Sequence, residues 1–215
     1  MPDLAPSPHA VLVLGMHRSG TSAVTGALQA LGVSLGGELL APAPDNPGGY
    51  FENAAVVTAH EELLVRLQRG WEDLRPLPAD WLEAEPGRDA SAAIAAAVRD
   101  EFATAPLWAV KDPRLCRLLP MWRAVLADAG VSPRCLLVLR HPDEVAASLA
   151  RRNALPLEYG HLLWLQYLVE AEHDSRHLPR CLVTYQAILD DPVRCMNRVG
   201  KALGVAWPKA PTAAR

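Results

Sequence analysis

The chain has 215 residues, enough for one domain of ordinary size and too few for two full ones. Half of the residues are hydrophobic and 21% are charged, which excludes wholesale disorder. The net charge of −3 excludes a general electrostatic pull toward nucleic acid or acidic membranes. Residues 1–8 read as a flexible N-terminus, and the apolar run His9–Leu14 predicts a first strand. Gly15–Gly20 predicts a turn, and Thr21–Leu31 has helical spacing (Val24, Leu28, Leu31) that ends at Gly32. Residues 32–50 have the Gly/Pro-rich composition of a long functional loop. Apolar positions Val56, Val57, Leu63, Leu64 and Leu67 predict a helix from Asn53 to Gln68. The Pro-containing stretch Arg75–Asp89 reads as irregular, and Ser91 as the cap of an Ala-rich helix to about Ala103.

The second half alternates more cleanly. Leu107–Val110 predicts a strand, and Pro120–Ala129 a helix with Pro at its start and Gly130 beyond its end. Cys135–Leu139 is a continuous apolar run, as a buried parallel strand requires. Pro142–Asn153 predicts a helix whose leading acids and closing Arg151 and Arg152 suit its dipole. A longer helix follows from Leu157 to about Glu172, then a strand at Arg180–Thr184. Asp191-Pro192 opens a last helix that Gly204 ends. This alternation predicts a single α/β domain over residues 9–205, with a parallel sheet of four to five strands flanked by helices and a C-terminal tail at 206–215. In such sheets ligands bind beyond the carboxyl ends of the strands, so the loops there should carry the chemistry.

No basic segment followed by a long apolar run opens the chain, and no apolar run of about 18 residues occurs, so a cytoplasmic location is the expectation. Cys116, Cys135, Cys181 and Cys195 are widely spaced, which predicts neutral thiols rather than a disulfide or zinc framework. His173 and His177 could share a helical face, but their charged surroundings predict a solvated surface, and no metal site is expected. Among the 21 Lys and Arg only three are Lys, and Lys111 alone precedes position 200.

The first strand runs into Gly15-Met-His-Arg-Ser-Gly-Thr-Ser22 and then a helix. A Gly-bracketed turn of this kind aims backbone N–H groups at one point, to which the helix N-terminus adds partial positive charge. With Arg18, Ser19, Gly20, Thr21 and Ser22 it predicts a cradle for phosphate or a similar anion, in a P-loop-like nucleotide-binding architecture. Gly15 and Gly20 have the nucleotide P-loop spacing, but Thr21 stands where that motif has Lys, which weakens a kinase reading.

The segment resembles the 5′-phosphosulfate-binding loop of the sulfotransferases that use 3′-phosphoadenosine 5′-phosphosulfate (PAPS). Cytosolic members typically show Lys-Ser-Gly-Thr-Thr; tyrosylprotein, carbohydrate and many bacterial members use Arg-Ser-Gly-Thr, as here. The resemblance implies that Arg18 and residues Ser19–Ser22 hold the 5′ end of PAPS, and that the product is the 3′,5′-bisphosphate PAP. Ala23 stands where cytosolic members place an adenine-stacking aromatic.

A second segment, Leu-Leu-Val-Leu-Arg140 followed by His-Pro-Asp-Glu-Val-Ala-Ala-Ser148, ends a buried strand in Arg rather than the magnesium-ordering Asp of a P-loop kinase. Arg140 and Ser148 suit either a terminal phosphate or, for Arg140, a local pair with Asp143 or Glu144. In the family an Arg and a Ser at this separation hold the 3′-phosphate, so the resemblance assigns them that role. By the same resemblance Tyr185, after the strand CLVT, approaches the adenine.

Sulfuryl transfer needs in-line positioning, charge on the leaving oxygen and a base for the acceptor proton. Lys111 opens Lys-Asp-Pro-Arg at a strand end, as in tyrosylprotein sulfotransferases, which implies that it assists the leaving oxygen without a required metal. Its alternative is a surface pair with Asp112. Arg114 is a further cation, for the site or for a neighbouring acid. Glu52 in GYFE is the expected base, with Arg18 as a further catalytic cation and His60, Glu38 and Asp112 as fallbacks. The expectation is thus a PAPS-dependent sulfotransferase acting on a hydroxyl or amine of a small molecule or glycan, with no nucleic-acid partner and no membrane span. The alternatives are a small-molecule kinase and a non-catalytic nucleotide-binding module. The latter stays open because the Gly-rich C-terminal motif of cytosolic members is absent.

Overall fold

Strand β1 (His9–Leu14) is apolar along nearly its whole length because both of its faces are covered. A computed structural model describes residues 8–211; residues 1–7 of the expected N-terminal segment and 212–215 of the expected tail lie outside it. β1 pairs in parallel with β2 (Leu107–Lys111) on one side and β3 (Ser132–Leu139) on the other, in registers Val11↔Ala109 and Leu12↔Cys135. β4 (Arg180–Thr184) extends β3, so the four-stranded sheet has the order β2-β1-β3-β4. Successive side chains of β1 enter opposite layers. Ala10, Leu12 and Leu14 pack against α2 (Ala54–Arg66), α3 (Glu85–Phe102), α4 (Leu115–Asp128), α5 (Pro142–Asn153) and α6 (Leu157–Ser175). Val11 and Val13 pack against α1 (Thr21–Ala30), α7 (Tyr185–Asp190) and α8 (Pro192–Leu203).

Three expected boundaries move and one helix is added, each for a local reason. α3 begins at Glu85, not Ser91, because Pro86 is harmless in a first turn, where its missing N–H would have no partner. Ser91 is an interior residue whose hydroxyl donates to the Gly87 carbonyl at 2.8 Å. α4 begins at Leu115, five residues before Pro120. Asp112 Oδ1 caps the turn by accepting the Arg114 N–H at 3.0 Å, and the fully buried Leu115, Cys116, Leu118 and Leu119 hold the helix despite the hydrogen bond that Pro120 removes. β3 starts at Ser132 and includes Pro133. The Ser132 N–H points to Pro8 of the β1 side, so the nitrogen of Pro133 faces the side where β4 has not begun. Between β4 and the last helix, Tyr185–Asp190 adds the short helix α7, started by Thr184, whose hydroxyl accepts the Ala187 N–H at 3.2 Å.

The described residues continue past Leu203 and Gly204, and Trp207 turns back over Gly200 and donates its indole N–H to the Met196 carbonyl at 2.9 Å. Cys116, Cys135, Cys181 and Cys195 are all free thiols. Among the described residues no three or more His, Cys, Asp or Glu form a cluster able to hold a metal, and no helix is long and apolar enough to cross a membrane.

Candidate active site

The carboxyl ends of β1, β2 and β3 meet at the turn between β1 and α1. Two residues give that turn its shape: Arg18 at φ 68° and Gly20 at φ 89°, both left-handed. Gly20 also answers to contact, since a Cβ there would lie 2.1 Å from the Tyr185 ring. The Gly15 N–H is held by Cys116 Sγ at 3.1 Å and the Ser19 N–H by the Met16 carbonyl at 3.1 Å. The opening N–H groups of α1 have no carbonyl one turn earlier to bond, and they point into the turn. Ser19 Oγ is buried without a hydrogen-bond partner. A cradle of free donors with an orphaned hydroxyl fits an anion.

Arg140 and Ser148 arrive at this turn from β3 and α5. Ser148 Oγ accepts from Arg18 Nε at 2.9 Å, and Arg140 Nη1 donates to the Arg18 carbonyl at 3.2 Å. The Arg140 guanidinium stacks 4.7 Å from the centre of the Tyr185 ring. Its Nε also donates to Glu144 at 2.6 Å, so the local pair coexists with the site contact. A cavity of about 190 Å³ opens here, lined by Arg18, Gly20–Ala23, Asn46, Arg140 and Tyr185.

Ser22 lines both this cavity and a second one of about 290 Å³. Lys111, at the end of β2, lines the second cavity: Nζ donates to Ser22 Oγ at 3.3 Å and to Glu52. The Lys111 side chain is 2% exposed, so the alternative of a surface pair with Asp112 is replaced by a buried pair with Glu52. Glu52 precedes α2, whose N-cap is Asn53, with Oδ1 accepting the Val56 N–H at 3.1 Å. Burial pushes the Glu52 carboxyl up and the Lys111 ammonium down, while each partner's charge opposes the shift of the other. The two affinities for a proton are thereby drawn together.

The three fallback bases stand away from the second cavity. Glu38 is exposed, with only its carbonyl engaged, by the Ala54 N–H. His60 and Asp112 are fully buried. Trp122 Nε1, which can only donate, reaches His60 Nε2 at 2.8 Å, so the His60 proton sits on Nδ1, 2.8 Å from Asp112 Oδ2. Burial alone would raise the Asp112 carboxyl, but Arg114 and His60 hold it well below the usual carboxylate range. Asp112 Oδ1 in turn fixes Arg114 Nη1 at 2.9 Å, and Arg114 also pairs with Glu61 across the mouth of the second cavity.

Several lining residues of the second cavity escape sequence reasoning: His17, Asn46, Tyr50 and Arg152. His17 was visible inside the turn motif, and Arg152 lies one helical turn past Ser148. Asn46 and Tyr50 sit in a loop whose composition says nothing about which residues turn inward. Burial lowers the pKa of His17 to about 3, with Arg114 adding to the effect, so its ring, 4.5 Å from that of Trp71, is neutral.

The chain resembles several solved structures in fold. The sulfotransferase domain of the Synechococcus PCC 7002 olefin synthase is 19% identical, with a TM-score of 0.55 over 95% of this chain and 76% of that one. The sulfotransferase STF1 of Mycobacterium tuberculosis H37Rv is 16% identical, with a TM-score of 0.54 over 93% and 68%. A sulfotransferase of Alicyclobacillus acidocaldarius is 15% identical, with a TM-score of 0.53 over 98% and 86%. Comparison with curated proteins found no match. The model of the sulfotransferase family matches residues 8–209, nearly the whole chain, and with the fold and the turn described above it follows that this chain belongs to the sulfotransferase family.

Proposed function

We propose that this protein transfers a sulfuryl group from PAPS to a hydroxyl acceptor. The observation that carries the reading is the position of Lys111: it lines the second cavity, pairs with Glu52 and touches Ser22 of the anion cradle, which lines both cavities. Donor and acceptor bound in those cavities would meet at this pair.

The free N–H groups of α1, the unpartnered Ser19 hydroxyl and Arg18 suit the 5′ end of the donor. Arg140 and Ser148 suit its 3′-phosphate, and Tyr185, braced by Gly20 and Arg140, suits the base. PAPS supplies the activated sulfuryl group on its 5′-phosphate. Lys111 contributes a compact positive charge beside the position where the leaving oxygen gains charge. Glu52, with its proton affinity raised by burial, takes the proton of the acceptor hydroxyl. Charges held in place before the reaction need no reorganisation during it. The second cavity, lined by His17, Asn46, Tyr50, Glu61 and Arg114, suits a polar acceptor better than a hydrocarbon one.

Calorimetric titration tests the reading. PAP should bind without magnesium, and Arg140→Ala should weaken it tenfold or more, about the loss of one charge-assisted phosphate contact. Magnesium-dependent ATP binding with no PAP binding would overturn it in favour of a kinase. PAP binding without turnover of PAPS on any acceptor would leave only a binding module.

A further inference from the structure

Beside the cradle, Arg152 and Asp45 form a charged pair with no role in the scheme above. Arg152 follows Ser148 by one turn on α5, so both side chains leave the same face of that helix. Ser148 holds Arg18, while Arg152 Nε lies 2.8 Å from Asp45 Oδ2. Asp45 also engages Arg18 twice. Its carbonyl accepts from Nη1 at 3.2 Å, and its Oδ2 lies 3.9 Å from the same nitrogen. Two guanidiniums from different elements thus converge on one carboxylate.

The segment bearing that carboxylate lies across the cradle. Tyr50 donates its hydroxyl to Asp45, Asn46 donates to Ser22 Oγ at 3.3 Å, and Ser22 Oγ donates to the Tyr50 carbonyl at 3.3 Å. Yet Asp45 Oδ2 is buried and receives no hydrogen bond, because Arg152 stands close to it without the alignment of one. The fork of Arg152 is therefore held by charge but not satisfied by geometry. Arg18 lines both cavities and Arg152 lines the one that also holds Lys111 and Glu52. A tetrahedral anion at the junction could present oxygens to both forks where one carboxylate cannot.

We propose that Arg152 is a further donor-binding residue and that Asp45 is an internal stand-in anion, displaced from Arg18 and Arg152 by the sulfonate end of the donor. The inference rests on the PAPS reading above and adds a competing carboxylate and a second guanidinium to it. Donor binding then releases the segment Asp45–Tyr50 from the cradle, so that the acceptor side opens only when the donor is in place.

Equilibrium titrations with PAPS and with PAP, which lacks the sulfonate, test the proposal. Asp45→Asn should tighten PAPS roughly threefold or more, the loss of one partly exposed competing ion pair. Tyr50→Phe, which loosens the hold on Asp45 without touching either Arg, should act in the same direction. In the Asp45→Asn background, Arg152→Ala should weaken PAPS roughly tenfold and PAP by less. Thermal unfolding of each variant confirms that it is folded. Unchanged or weaker PAPS binding in both Asp45→Asn and Tyr50→Phe overturns the stand-in role. Unchanged PAPS binding on adding Arg152→Ala overturns the role of Arg152. Failure of the unaltered protein to bind either nucleotide would overturn the donor reading itself, a distinct result.

Discussion

Replacing Lys111 by Met keeps most of the side-chain volume and removes its charge, which isolates what the buried pair contributes. The two side chains are 2% and 9% exposed, so water screens the pair little. Removing one partner of such a pair costs about 3–5 kcal/mol, because the other is left charged in the interior. Glu52 can limit that cost by taking up a proton. Its carboxyl is already raised, by burial first and by Asp112, while Lys111 opposes the rise. Without Lys111 the carboxyl rises further. A group whose folded pKa is raised contributes full stability below its unfolded value and loses it as pH climbs through the folded value. Lys111→Met should therefore differ little from the parent near pH 4.5 and fall behind by about 3–5 kcal/mol at about pH 8. For a chain of this length that gap is about 10 °C in Tm. Adding Glu52→Gln should recover most of the gap at the higher pH, since the amide carries no charge to strand. Urea denaturation across this pH range measures both effects. An equal loss at both ends of the range, or a double variant no more stable than Lys111→Met at the higher pH, would refute the reasoning.

Glu52→Gln alone should lower turnover about 100-fold or more, the usual worth of a general base. In the parent, activity should fall on the acid side at a pH above the ordinary carboxylate range, and pH–rate profiles should show that limb absent from the variant. Gly20→Ala faces both a φ of 89° and a Cβ 2.1 Å from Tyr185, and should lose about 1–2 kcal/mol of stability together with PAP affinity. Parental PAP affinity by calorimetry would mean that the turn tolerates a side chain. Trp122→Phe strands His60 Nε2 in the core and should cost about 1–3 kcal/mol by denaturation, while Asp112 keeps the ring proton on Nδ1, as NMR should show. Parental stability would show that His60 Nε2 does not depend on the indole.

The strand and helix alternation was legible because each layer imposes its own period. β1, β4, α5 and α8 fall where apolar runs, leading prolines and terminal glycines put them. The cradle was legible for the same reason: its residues are consecutive, so the chain order is the geometry. The starts of α3 and α4 were not, since Pro86 and Pro120 read as boundaries, whereas a first turn tolerates Pro86 and the buried residues ahead of Pro120 hold α4.

The site beyond the cradle belongs to the tertiary structure. The rarity of Lys marked Lys111 as a residue to examine, and its place at a strand end followed from the pattern. Its partner did not. Lys111 and Glu52 are 59 positions apart, and Arg18 and Ser148 are 130 apart. Nothing local distinguishes an exposed acid just before a helix from one buried against a lysine. What decides is that parallel strands deliver their carboxyl ends to one edge, so that side chains remote in sequence must share a small volume poor in water. Only there does burial shift Glu52 and Lys111 toward each other, and only there does Asp45 meet two guanidiniums at once.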